Sequence, residues 1–279
     1  MGNPCVSVLM TAYNREKYIG AAIESVLASS YRDFELIIVD DRSKDNTVNI
    51  AQGYQEKDLR VKVYVNEKNL GDYPNRNKAA SYAQGKYIKY LDADDYIYPW
   101  GLELMVSMME KFPEAGWGLC SLPQFAGKPY PFQLEPGEAY KYHYQGPGLF
   151  HKAPLSAILK KGAFDHLGGF SNRRMVGDSE MWHRMALHFP VVLMPDGIVW
   201  YRAHNSQEVN SKRKFILEYE KIVVEYMQHP DCPLTREERR WVIVQRKKAA
   251  LKLMIFSLLK FRIQEGGDHF KIWRFYLGK

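Results

Sequence analysis

Three carboxylates fall within four residues, at Asp92, Asp94 and Asp95, directly after the run Tyr87-Ile88-Lys89-Tyr90-Leu91. Packing gives a chain no reason to gather like charges at a strand tip, where they repel and raise one another's pKa. A divalent cation removes that penalty. Magnesium or manganese takes oxygen ligands, and magnesium keeps to one or two protein carboxylates, with water and a substrate diphosphate completing the shell. The local pattern equally describes a solvated acidic turn ahead of a helix, because Asp-rich turns are common and Asp-x-Asp alone is a weak motif. The surrounding elements decide between the two.

The strand before the turn shows in its alternation, with Tyr87, Lys89 and Leu91 on one side and Ile88 and Tyr90 on the other. Upstream, Val6 to Met10 is an apolar strand and Thr11-Ala12-Tyr13-Asn14 a polar loop. A helix follows from Ile19 to about Ser29, with Ile19, Ala22, Ile23, Val26 and Leu27 on one stripe. Phe34 to Val39 is continuously apolar, as in a strand buried on both faces, and it ends at Asp40 and Asp41. Ser43 or Asp45 is placed to cap a helix running to about Glu56. Val61 to Val65 is a third strand, Asn69 to Pro74 a loop, and Asn75 to Ala83 a helix closed by Gly85. Four strand–helix alternations predict an α/β chain with a central, mostly parallel sheet flanked by helices on both faces. Such sheets bind ligands beyond the carboxyl ends of their strands, and three of these strands end in polar or acidic loops. That convergence makes the acidic turn functional.

The second half is less regular. Trp100 to Lys111 reads as a helix and Trp117 to Leu122 as a strand, followed by Pro123 to Pro147, a stretch rich in Pro, Gly and Tyr that suits a lid or binding loop. Ser156 to Lys160 is a strand, Gly168-Gly169 breaks a short helix, and Asp178 to His188 is helical with Met181, Trp182 and Met185 on one side. Val191 to Met194 and Ile198 to Tyr201 are strands. Two helices, from about Ser211 to Gln228 and Thr235 to Gln264, finish the chain; Thr235 and Glu238 have capping-box spacing and Gly266 is placed to end the second. The chain thus divides into 1–98, 99–210 and a helical extension, 211–279.

With 279 residues, 46% of them hydrophobic, the chain is long enough for one large α/β core or a core with an appendage. Cys5, Cys120 and Cys232 lie far apart, which indicates neither disulfides nor a zinc cluster and fits a reducing, cytoplasmic setting. No run is long and apolar enough to span a membrane, and there is no signal-peptide pattern. The net charge is +7, yet Arg236 to Lys279 alone carries 12 Lys or Arg against 4 Asp or Glu, which leaves the rest at −1. A basic appendage favours an anionic phospholipid surface, at the inner face of the cell membrane, and not nucleic acid. Its mixture of aromatic, aliphatic and basic residues would equally let the tail pack on the catalytic domain or on a second subunit of a homodimer.

No Gly-x-Gly-x-x-Gly follows the first strand, and neither a Walker A motif nor His-Glu-x-x-His occurs, so phosphate is not expected in a glycine-loop cradle, and a metal held by Asp92 and Asp94 is the expected way to handle it. Val6 to Asn14, then Val39-Asp40-Asp41-Arg42-Ser43-Lys44-Asp45, then Asn69-Leu70-Gly71 with Arg76-Asn77, then Gly85 to Asp95 resemble, in order and at ordinary spacing, the inverting family 2 type of GT-A glycosyltransferase. The likeness is dense over the first 95 residues and continues as isolated motifs to about Ser206. It implies the GT-A nucleotide-diphospho-sugar transferase fold and a nucleotide-sugar donor, usually uridine diphosphate linked. It also implies that Thr11, Tyr13 and Asp41 meet the base, Asp92 the ribose region, and Asp94 a manganese or magnesium ion. A Tyr face stacks on a uracil, and a carboxylate accepts the base's N–H.

Arg76 would meet base or phosphate through its donor fork, or else sit on a solvated helix face. An inverting transfer needs a base opposite the departing diphosphate. Asp178, in Val176-Gly177-Asp178-Ser179-Glu180-Met181-Trp182, resembles the family's catalytic Glu-Asp motif; Gly177 stands where an acid is common, which keeps Glu180 as a rival base. Asp178 would also serve as a helix N-cap. His204, in Tyr201-Arg202-Ala203-His204, resembles the family's Arg-x-His segment and would bind metal or diphosphate. The expected reaction moves a sugar to a saccharide or lipid-linked acceptor for a surface polysaccharide or glycolipid. The alternatives are a nucleotidyltransferase that releases pyrophosphate and a nonenzymatic nucleotide-sugar-binding or membrane-docking protein.

Overall fold

The computed structural model describes residues 2–204 and 213–279. Eight strands form one sheet: β1 (Val6–Ala12), β2 (Phe34–Asp40), β3 (Val61–Val65), β4 (Tyr87–Tyr90), β6 (Trp117–Leu122), β7 (Phe132–Leu134), β8 (Ala157–Lys160) and β9 (Val191–Pro195). Their order is β3-β2-β1-β4-β8-β6-β9-β7. The first four are parallel, as the alternation with helices requires, because a parallel neighbour is reached only by a crossover. β8 pairs antiparallel to both β4 and β6, and β9 returns parallel to β6. A two-stranded ribbon, β5 (Tyr96–Ile97) with β10 (Val199–Trp200), stands apart.

The helices are α1 (Ile19–Leu27), α2 (Thr47–Gln55), α3 (Asp72–Tyr82), α4 (Gly101–Glu110), α5 (Pro136–Gln145), α6 (Lys161–His166) and α7 (Gly177–His188). Of the stripe expected on α1, Ile19, Ala22, Ile23 and Val26 are buried in one core with Val8, Met10, Leu36 and Ile38, and Leu27 packs partly buried against it. Every residue of β2 is buried, in keeping with its unbroken apolar run. Lys89 is buried too, and its ammonium donates to the Leu155 carbonyl; burial pulls its pKa down to about 8.

Several elements differ from expectation. Thr11 and Ala12 continue β1, because they pair with Val39 and Asp40 of β2. The segment 123–147 is not an irregular loop throughout: β7 closes the sheet edge against β9, and α5 follows. α3 starts at Asp72 with Pro74 in its first turn, where the missing N–H costs nothing. Gly85 lies beyond α3 and permits a close crossing, since a Cβ there would come 2.6 Å from the Ser7 nitrogen. Neither Ser43 nor Asp45 is the α2 N-cap, a position held by Asn46; Ser43 bonds Asp40, and Asp45 accepts from the Thr47 N–H.

The described chain forms two compact units, 2–139 with 149–204, and 140–148 with the described residues after 204. The second contains α8 (Ile216–Gln228), α9 (Arg236–Leu259) and α10 (Ile263–Leu277), around Val224, Ala250, Ile272 and Tyr276. The Thr235–Glu238 capping box forms. The long final helix breaks at Lys260–Arg262, and Gly266 lies inside α10, where a Cβ would stand 3.0 Å from Leu258. The start of the preceding helix near Ser211 lies outside the described residues. No described helix is long and apolar enough to cross a membrane.

Candidate active site

Parallel pairing brings the carboxyl ends of β1, β2 and β4 to one rim: the Asp41 N–H reaches the Ala12 carbonyl at 2.8 Å, and the Leu91 N–H reaches that of Leu9 at 3.0 Å. Thr11 stands at the end of β1 and Tyr13 just beyond it, with its ring exposed. Asp40 organises this loop through Ser43: its two oxygens accept the Ser43 N–H at 2.7 Å and hydroxyl at 2.5 Å, and Ser43 accepts the Asn14 N–H at 2.8 Å. Burial, only partly offset by these bonds, raises the Asp40 pKa.

Asp41 is buried and accepts from the Asn66 side chain at 2.9 Å and the N–H groups of Leu70 and Gly71 at 2.7 and 2.8 Å. It therefore fixes the loop between β3 and α3 at the rim. Arg76 is not on a solvated helix face. Its guanidinium is buried between Asp72 at 2.7 Å and Asp92 at 2.8 Å, and those two charges hold its pKa up against burial.

The three carboxylates of the turn each have a different partner. Asp92 pairs with Arg76; burial raises its pKa, Arg76 opposes that, and Asp94 adds to it. Asp95 accepts the Arg202 N–H at 2.9 Å, and burial reinforced by the charge of Asp92 pushes its pKa up to about 8. Asp94 directs one oxygen, Oδ2, at both Arg15 Nε and His204 Nε2, each at 2.9 Å. Tyr18 stacks on His204 at 4.9 Å, and Arg202 donates to the Asp94 carbonyl at 2.9 Å while its guanidinium lies over the Tyr18 and Tyr96 rings. Carboxylate and imidazole thus converge from segments 110 residues apart. Manganese accepts such a mixed pair, and a divalent ion held by two protein groups leaves positions for water and diphosphate. No group of three or more His, Cys, Asp or Glu able to hold a metal forms among the described residues.

The two candidate bases separate. Glu180 is 5% exposed and paired at 2.9 Å with Arg184, which also donates to the Gly169 carbonyl; it ties α7 to the loop before it. Asp178 is half-buried in the first turn of α7, two residues after the true N-cap Val176, and accepts the Ser179 N–H at 2.7 Å. Its own N–H donates to the Tyr73 hydroxyl at 3.0 Å. Tyr73 lies one turn before Arg76 on α3, so that turn links Asp178 to Asp92. The same ring explains Gly177: a Cβ there would come within 2.7 Å of it. Trp182 anchors α7, fully buried, stacked on Trp117 at 5.4 Å and donating to the Lys152 carbonyl.

Sequence reasoning missed Arg15, Tyr73 and Arg202. Arg15 follows Asn14, and Arg202 opens the Arg-x-His segment that holds His204, so their place in motifs already singled out was the available signal. Tyr73 gave none, because its role depends on a residue 105 positions away.

Residues 7–168 match the family described as Glycosyl transferase family 2. An uncharacterized glycosyltransferase of Methanocaldococcus jannaschii is 36% identical over 181 residues, covering 59% of this chain and 60% of the relative. The putative glycosyltransferase EpsE of Bacillus subtilis is 32% identical over 191 residues, 65% of this chain and 66% of its own. The UDP-Glc:alpha-D-GlcNAc-diphosphoundecaprenol beta-1,3-glucosyltransferase WfgD of Escherichia coli is 40% identical over 111 residues, 40% of this chain and 43% of its own. The chain therefore spans less than two thirds of these relatives. Among solved structures, S. aureus TarS 1–349 in complex with UDP-GlcNAc superposes with a TM-score of 0.67 at 17% identity, covering 100% of this chain and 92% of that one. The mannosyltransferase PcManGT from Pyrobaculum calidifontis in complex with GDP-Man and Mn2+ gives 0.65 at 15% identity, covering 99% and 87%. At such identities the likeness establishes the fold, which is GT-A.

Proposed function

Because the chain belongs to glycosyl transferase family 2, we propose that it moves one sugar, with inversion, from a nucleotide diphosphate sugar to a saccharide or lipid-linked hydroxyl. The donor is a uridine diphosphate sugar, and the product a surface polysaccharide or glycolipid. The observation that carries this reading is the shared rim, where Tyr13, Asp41, Asp92 and Asp94 come from three parallel strands. The UDP-GlcNAc and GDP-Man complexes of the structural relatives support a nucleotide diphosphate donor, and the diphosphoundecaprenol in the name of WfgD supports a lipid-linked acceptor.

In this reading Thr11 and Tyr13 hold the base and Asp92 the ribose, while Asp41 and Arg76 keep the surrounding loop and helix in register. Asp41, with three donors already on it, acts on the base through the loop it orders and through its remaining acceptor capacity. Asp94 and His204 would hold manganese or magnesium, which supplies positive charge to the departing diphosphate. Asp178 takes the proton as the acceptor oxygen bonds C1, and the electron pair of the C1–O bond leaves with the nucleoside diphosphate. Its exposure supports that role; Glu180, buried on Arg184, is the weaker candidate.

The test is a panel of nucleotide sugars with a saccharide and a lipid-linked acceptor, scored by mass spectrometry with and without manganese. Release of nucleoside diphosphate with a glycosylated acceptor is expected. Pyrophosphate release would make the protein a nucleotidyltransferase, and donor binding without turnover would make it a binding protein.

A further inference from the structure

Between Arg239 and Gln264 the chain holds eight Lys or Arg and no Asp or Glu. Within that stretch α9 turns Val242, Ala250 and Ser257 inward. The opposite stripe, Trp241, Val244, Lys248, Lys252, Ile255 and Leu259, repeats at intervals of three and four and is exposed along its length. Apolar exposure peaks at the turn into α10, where Leu259 is 73%, Phe261 89% and Ile263 75% exposed.

The turn itself is costly. The Arg262 N–H bonds the Ser257 carbonyl at 2.8 Å and the Phe261 N–H that of Leu258 at 3.0 Å, which is a Schellman ending with Phe261 in the left-handed position. Its φ is +55°, a conformation in which glycine is the usual residue and a bulky side chain is strained. An aromatic ring kept there, at the apex and almost wholly in solvent, earns nothing from packing.

A second copy of the chain is a poor occupant for this face, because two such stripes would oppose Lys248 and Lys252 with lysines and no acid. The acidic residues beyond the turn, Glu265 and Asp268, are already paired with Arg262 and Arg213, and the acid in line with the stripe, Glu237, stands one turn before Trp241 at its far end. A phospholipid surface matches both halves of the pattern: apolar tips enter the acyl boundary while Lys and Arg stems reach anionic headgroups. We infer that the α9–α10 hairpin docks this protein on an anionic phospholipid bilayer, with Leu259, Phe261 and Ile263 inserted and Lys248, Lys252, Lys260 and Arg262 at the headgroups. The inference does not depend on the identity of donor or acceptor.

The experiment is flotation of the full chain with vesicles of equal parts phosphatidylglycerol and phosphatidylcholine, against phosphatidylcholine alone. Binding to the anionic vesicles is expected. Phe261→Gly should lower it about tenfold through the lost ring while the midpoint of thermal unfolding stays level or rises, because glycine relieves the turn. Lys248→Gln with Lys252→Gln should cost roughly fivefold per lysine and flatten the salt dependence. Undiminished binding by Phe261→Gly, or a full chain indifferent to anionic vesicles, overturns the inference. So does a dimer in light scattering that Leu259→Glu dissociates, which would assign the face to a second copy.

Discussion

The rim of the sheet and the C-terminal helices break the usual rule of burial in opposite ways. At the rim, charge is drawn inward: Arg76, Asp41, Asp94 and Asp95 are buried, and each is tied to named partners. In the helical unit, apolar groups are pushed outward, and Phe261 is the most exposed aromatic ring of the described chain. Desolvating a carboxylate without a partner is expensive, so the rim must be densely cross-linked to exist. Leaving an aliphatic or aromatic side chain in water costs much less, so an outward apolar pattern on the helices needs no such cross-linking to exist. Selection for stability alone explains neither arrangement.

The comparison is broken most sharply at Asp178. Asp178→Asn should keep donor binding by calorimetry and lower single-turnover transfer by about 10³-fold, in the range of a lost general base. Glu180→Gln should instead destabilise the fold, since it removes the charge opposite Arg184; normal transfer by Asp178→Asn would give Glu180 the role. Next comes Asp94→Ala, for which manganese-dependent donor affinity should fall by roughly 100-fold, an outcome read by titration calorimetry. Unchanged affinity would leave Asp94 as a structural partner of Arg15 and His204.

A smaller effect sharpens the rim's dependence on packing. Gly177→Asp places a side chain against the Tyr73 ring and should destabilise the protein by about 2 kcal/mol in chemical denaturation, typical of overpacking. Lys89 provides the smallest and most diagnostic test. Its pKa is about 8 in the folded protein against an ordinary 10.5, so between those pH values the unfolded chain binds more protons and stability rises with pH. The cost of the buried charge is complete below pH 8. Lys89→Met should flatten that rise, and an unchanged slope would mean that the ammonium is better solvated than its burial indicates.

Much of the site was legible in residue order. The apolar runs at Val6 and Phe34 and the alternation from Tyr87 located three strands, and the polar residues after each located one rim. The tail misled at its middle, because Leu258 to Ile263 has helix-forming residues throughout and the break requires Phe261 in a conformation that local propensity disfavours. Likewise 123–147, rich in residues that favour turns, supplies an edge strand because β9 presents an open row of backbone groups.

Periodicity, strand-end chemistry and the basic excess of the tail belong to the sequence alone, for they depend on neighbours within a few residues. Tertiary structure decided which cation meets which carboxylate: Arg15 and His204 on Asp94, Arg76 on Asp92, and the Tyr73 ring that leaves no room at position 177. Those pairings join segments tens to a hundred residues apart, and only the order of strands in the sheet brings such segments within hydrogen-bond reach.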